Sequence, residues 1–234
     1  GNRLDGSGAW GGGGDTLALN LDAANLGGLA KGYDGQVKLD AKLRGTLEAP
    51  AGEMELSASE LRLPEGVEMT GVNAQGSLRD GLDGAIAFAA GVGEIRRRNP
   101  DRTVTPLLER ASLTVDGRRG AHVVELDAAL AEGNAVAARL EGGLDAGMRW
   151  VGQLTRLKTA GQVALELQAP ASLEASADAV ALGAAELHSG EGRVVLEQTR
   201  WSPAEIIARG RMSGLQIGLV RDASGKARRG PGEL

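Results

Sequence analysis

The chain has 234 residues, with 26 Lys+Arg against 31 Asp+Glu, a formal net charge of −5, 37 Gly, two His and no Cys. The absence of Cys excludes a disulfide framework and any thiolate metal site, and so mild a charge argues against a dedicated nucleic-acid binder. The aromatic residues are only Trp10, Tyr33, Phe88, Trp150 and Trp201, too few to fill a thick core, so the Leu, Val and Ala content points to a thin, extended architecture.

In chain order, residues 1–14 are Gly-rich and read as a flexible lead-in. Gly6, Gly8 and Gly11 match the dinucleotide fingerprint by letters. The fingerprint needs a strand before it and a helix after it, and neither pattern is present. Leu17, Leu19 and Leu21 then alternate with polar or small residues. Residues 22–30 allow one short helical turn with Asp22 as N-cap. Val37, Leu39, Ala41 and Leu43 alternate with Lys38, Asp40, Lys42 and Arg44, and Met54, Leu56 and Ala58 with Glu55 and Ser57. Side chains of a strand point to opposite faces in turn, so each such segment is a strand with one apolar face.

The most apolar stretch, residues 84–93, is too short to cross a membrane as a helix. Residues 94–102 read as a basic loop. Its Arg96, Arg97, Arg98 and Arg102 are candidate contacts for lipid phosphates, against the plainer reading of a solvated loop. Alternation resumes at Val124, Leu126, Ala128 and Leu130, and again at Val163, Leu165 and Leu167. Ser202-Pro203 could open a second short helical turn, although the residues from Ala208 onward read better as strand. The tail, 221–234, is basic and reads as disordered, which leaves 15–220 as a single elongated β segment. The abrupt ends are those expected of a piece of a longer protein.

A loose frame of apolar, polar, Gly, small, Leu recurs around Gly45, Gly76, Ala111 (Ala in place of Gly) and Gly142, with Gly210 further on. A period holding about two strands fits a sheet that grows by one hairpin at a time. The chain offers no catalytic constellation. His122 and His188 lie in no ligand-spaced motif, Ser224-Gly-Lys226 lacks the rest of a phosphate loop, and no nucleophile elbow is present. No enzyme activity, metal or cofactor is therefore expected. Trp150 and Trp201 read as strand residues, either core packing or amphipathic anchors.

The run from Met148 to Leu187 resembles a unit common in TamB-like proteins of the AsmA-like superfamily. Trp150, Gly152, Leu154 and Leu157 form an aromatic-led strand, and Pro170, Ala171 and Leu173 a Pro-Ala-x-Leu segment. Residues 19–50 are similar to the family's short helical turn followed by a strand ending in Gly-Thr-Leu-x-Ala-Pro. Residues 120–126 resemble its Gly-x-x-His-x-apolar-x-apolar strand. The resemblance covers roughly residues 15–220, and some members carry paired cysteines that are absent here. It implies a periplasmic protein anchored in the inner membrane and an all-β, curved sheet forming an open trough. It also implies a TamA-like outer-membrane barrel as partner, phospholipid as cargo and a link to outer-membrane protein assembly. The candidate groove lining is then Val37, Leu39, Ala41, Leu43, Leu56, Leu126, Val163, Leu165 and Leu167. The competing architecture is a closed β-solenoid of the autotransporter-passenger type, for which Asn is too sparse to form ladders.

Overall fold

The computed structural model describes residues 1–28 and 31–214. The first half of the sheet holds β1 (Arg3–Gly8), β2 (Thr16–Ala23), β3 (Asp34–Gly35), β4 (Val37–Gly45), β5 (Pro50–Arg62), β6 (Val67–Arg79), β7 (Ala85–Val92), β8 (Glu94–Arg98) and β9 (Val104–Arg118). The second half holds β10 (Ala121–Leu130), β11 (Ala135–Leu144), β12 (Trp150–Ala160), β13 (Glu166–Leu167), β14 (Ala171–Ala175), β15 (Val180–Leu182), β16 (Ala185–Ser189), β17 (Gly192–Trp201) and β18 (Ile206–Ser213). All the pairings are antiparallel and join neighbours in sequence, apart from four places where one long strand is broken in two: β3/β4, β7/β8, β13/β14 and β15/β16. The result is one open antiparallel meander, with β1 and β18 each paired on one side only among the described residues. The sheet does not close into a barrel, and its curvature makes it a trough.

Among the described residues, helix is confined to three 3₁₀ turns, Leu26–Gly28, Pro64–Gly66 and Ala131–Gly133. Gly-Gly at 27–28 and the strand alternation on either side leave no apolar stripe on which a longer helix could pack. Asp22 is not an N-cap: it belongs to β2, opposite Arg3. Ser202 and Glu205 close a plain turn by mutual backbone hydrogen bonds, and the strand expected beyond it is β18. The sheet also begins earlier than residue 15. Arg3–Gly8 is hydrogen-bonded along β2 from Arg3↔Asp22 to Gly8↔Leu17, so the glycines of the lead-in serve an edge strand. The tail, 221–234, lies outside the described residues.

The recurring frame does mark hairpins. Gly45, Gly76, Ala111 and Gly142 sit on β4, β6, β9 and β11, which run in the same direction with one return strand between each pair. Gly210 sits on β18, which runs the opposite way, and does not belong to the series.

The strand breaks fall into two lines. One passes through Gln36, between β3 and β4, then Gly71 (φ 61), Gly93 and the register shift at Ala129/Leu130. The other passes through the shift at Arg139/Leu140, the gap between β13 and β14, the gap between β15 and β16, and the shift at Leu196/Gln198. An extra or unpaired residue bends its strand and increases the local twist. Breaks lined up across neighbouring strands therefore bend the whole sheet, which is how a chain this poor in aromatics curves without a thick core to wrap around.

Candidate functional site

Register places one apolar row across the sheet. Leu4 stands opposite Leu21, Leu21 opposite Leu39, Leu39 opposite Leu56, Leu56 opposite Ala74 and Ala74 opposite Ala90. The row continues through Leu113, Leu126 and Ala138 to Leu157. Lys158 opposite Glu166 then sets Leu157 against Leu167, which leads to Leu187, Val194 and Met212. Directly opposed residues share a face, so the row crosses the sheet from edge to edge without a polar side chain. A second row two residues along runs from Leu19 through Ala41, Met54, Gly76, Phe88, Val115, Val124 and Leu140 to Leu154.

This face is not a closed core. Among the described residues the buried apolar side chains are Ala23, Ala58, Ala138, Leu154, Ala171, Ala185 and Leu187, and no large side chain is fully buried. Leu39, Leu56 and Leu126 are half-buried. Such a face stays open to an apolar occupant, and each Å² it removes from water is worth about 25 cal/mol.

Of the residues named from sequence, Val37, Leu39, Ala41, Leu43, Leu56, Leu126 and Leu167 share the apolar face by register. Leu165 lies just before β13, half-buried, its N–H donating to Thr159 Oγ1 at 2.9 Å. Val163 does not belong to a strand. It sits in the β12–β13 connection, 56% exposed, where its carbonyl accepts from Thr159 Oγ1 at 2.7 Å. The alternation there is genuine in letters, but Thr159 ties the backbone into a turn before pairing can begin.

The expected basic loop is in large part a strand. Glu94–Arg98 is strand β8, paired with both β6 and β9, because Arg96, Arg97 and Arg98 continue the strand after its break at Gly93. Arg98 Nε donates to Glu68 Oε1 at 2.9 Å, and Arg96 and Arg62 lie 3.8 and 3.9 Å from the same carboxylate. Two of the four candidate phosphate contacts thus already have carboxylate partners, Arg98 in Glu68 and Arg96 in Glu68 and Glu94. Arg97 and Arg102 are exposed, the latter in a turn at φ 69.

The Glu68 carboxyl is held below its ordinary value of 4.5, chiefly by the Arg98 hydrogen bond, against the opposing effect of burial. The stabilisation it gives is therefore complete above that ordinary value and is lost as the pH falls through the depressed one. Glu68→Gln is expected to cost about 1–2 kcal/mol at pH 7, the worth of hydrogen bonds to a charged group. In urea unfolding the gap between the two proteins should narrow toward pH 3. A gap independent of pH would show that the cluster does not act through charge.

A cleft of about 1000 Å³ lies on the other side of the first half of the sheet. Most of its lining comes from residues that alternate with the apolar rows, Asp5, Asn20, Asp40, Lys42, Glu53, Glu55, Gln75 and Asp116 among them, with Leu19, Ala41, Met54, Gly76 and Phe88 of the second row between them. A twisted sheet is saddle-shaped, so each face has a concave direction. The polar face supplies most of this cleft.

The apolar face carries one polar side-chain pair that the sequence did not reveal. His122, Gly142 and Gly152 stand in one row on β10, β11 and β12. Trp150 leans over both glycines: a Cβ on Gly142 would fall 2.7 Å from Trp150 Cζ2, and one on Gly152 2.6 Å from Cη2. The indole Nε1–H donates to His122 Nε2 at 2.9 Å. The signal was in the letters: Trp150-x-Gly152 places a glycine on the same strand face as the indole. His188 is unrelated to this pair and lies 2.7 Å from Glu186 on β16.

A family model described as TamB, N-terminal domain, matches residues 1–185. The chain belongs to the TamB family. No curated protein and no solved structure matches it. The TamB match runs from β1 to the first residue of β16, so it covers the first line of breaks and most of the apolar row. No described helix is long and apolar enough to cross a membrane, and no cluster of His, Asp or Glu among the described residues could hold a metal ion.

Proposed function

We propose that the apolar face is a conduit for phospholipid acyl chains, within a TamB-family protein that links the inner and outer membranes. The observation that carries this reading is the apolar row from Leu4 to Met212, unbroken across the sheet and only half-buried at Leu39, Leu56 and Leu126. Acyl chains laid along such a face leave water without meeting a polar group that would hold them at one place. The segment works without catalysis and without a cofactor. Its setting is the periplasm, with an inner-membrane anchor and a TamA-like outer-membrane barrel supplied through other parts of the parent. A role in outer-membrane protein assembly belongs to the same reading.

The test uses parity along a strand. A photo-crosslinking residue replaces Leu56 or Leu126 on the apolar face, or Glu55 or Asp127 on the polar one, and the chain is mixed with vesicles of phosphatidylethanolamine and phosphatidylglycerol. Lipid adducts are expected from positions 56 and 126 and not from 55 and 127. Equal labelling of both faces, or none from either, removes the conduit reading.

A further inference from the structure

We propose that Trp150 and His122 form a proton-operated latch on the apolar face. His122 Nδ1 lies 3.0 Å from the Arg118 carbonyl oxygen. A carbonyl only accepts, so Nδ1 carries the hydrogen and Nε2 presents its lone pair to the indole N–H. Both ring nitrogens are thereby satisfied in one neutral tautomer. The two rings stand with centroids 6.4 Å apart and planes at 57°, a tilted contact through their edges rather than a stack.

When His122 takes up a proton, Nε2 becomes a donor and faces the indole N–H donor. The hydrogen bond then has no acceptor, and its attraction becomes repulsion. Trp150 is held over the glycines by that bond, since Gly142 and Gly152 have no side chains to grip it. The released ring leaves the glycine floor and stands into the trough beside His122. The latch thus converts a proton into a change of width in the apolar face, and it does so whatever the trough carries.

The surrounding charges leave this pair to itself. Asp116 on β9 and Glu141 on β11 both stand opposite Val123, and Arg118 stands opposite Ala121, which puts all three on the other face from His122. In the adjoining turns, Arg119 reaches Asp83 at 3.7 Å and the Asp145 carbonyl at 3.5 Å, while Arg149 is held by Asp145 and Glu174. No described carboxylate lies within ion-pair distance of His122, so nothing replaces the indole as a partner for the charged ring.

The experiment follows Trp150 as the sole fluorophore in a Trp10→Phe/Trp201→Phe background, from pH 8 to pH 5. Emission is expected to shift to the red, and acrylamide quenching to rise, in step with the His122 ring resonances. His122→Gln keeps an acceptor for the indole without a titratable ring, and is expected to give a flat profile. His188→Gln is expected to leave the transition in place. If the double Phe background does not fold, the ¹⁵N indole resonance of Trp150 in the unsubstituted chain gives the same readout. A Trp150 signal that stays flat while His122 titrates would overturn the latch. So would a His122 that does not titrate in this range, or an unchanged transition in His122→Gln.

Discussion

Leu126→Arg is expected to cut lipid labelling from the apolar face about tenfold or more while lowering stability by only about 1–2 kcal/mol. Leu126 sits mid-row, between Leu113 on β9 and Ala138 on β11. Along its own strand it is four residues from Leu130 and five from Ala121, at about 3.3 Å per residue. An arginine is too short to carry its head past either end of the strand, so the guanidinium must stand over the apolar face itself. On the proposed conduit it meets water when the face is empty and hydrocarbon when it is occupied. The cost therefore falls on the occupant more than on the fold, because a charge set against hydrocarbon without a partner costs several kcal/mol. Asp127→Arg is the control. It is the next residue on the strand, exposed on the polar face, and should change neither labelling nor stability measurably. Photo-crosslinking from position 56 in each background, with urea unfolding alongside, reads both quantities. Loss of folding in Leu126→Arg would show a sealed core at that row.

The strands and their apolar faces were legible because a period of two is written directly in the letters. Leu17, Leu19 and Leu21 needed no structure to be placed on one side, nor did Val37 to Leu43. What the letters could not give was register. The row from Leu4 to Met212 depends on every turn having the right length, and on three bulges that insert a residue into β9, β12 and β17. The same limit explains the failures. Val163 alternates in letters but is tied into a turn by Thr159. Arg96 to Arg98 looked like a loop because a basic run has no apolar face, yet Glu68 on the neighbouring strand supplies its partner. Thirty residues separate the two, and nothing local marks the pairing. The Trp150–His122 pair is hidden for another reason: neither residue's neighbours in sequence mark it, and the contact spans two strand turns.

Gly152→Ala should destabilise the second half of the sheet by about 2–3 kcal/mol. A methyl group at this position would fall 2.3 Å from the Glu141 carbonyl oxygen, 2.6 Å from the Gly142 Cα and 2.6 Å from Trp150 Cη2. The first two contacts are backbone of the partner strand, which can yield only by opening the β11–β12 ladder. The third can yield by expelling the indole. Both routes are costly, and they differ in what they disturb: the first weakens pairing around Leu140↔Leu154, the second breaks the hydrogen bond to His122. Gly120→Ala is the comparison. Nothing lies within 4 Å of the added carbon and the backbone there is not left-handed, so the loss of unfolded-state freedom should leave that protein as stable as the parent or more so by about 0.4–1 kcal/mol. Urea midpoints of the two variants should therefore move in opposite directions, or the Gly120 midpoint should stay still. Trp150 fluorescence in Gly152→Ala should already be red-shifted at pH 8, where the unsubstituted chain keeps its latch closed. If Gly152→Ala melts like the parent, the indole does not lie on that glycine.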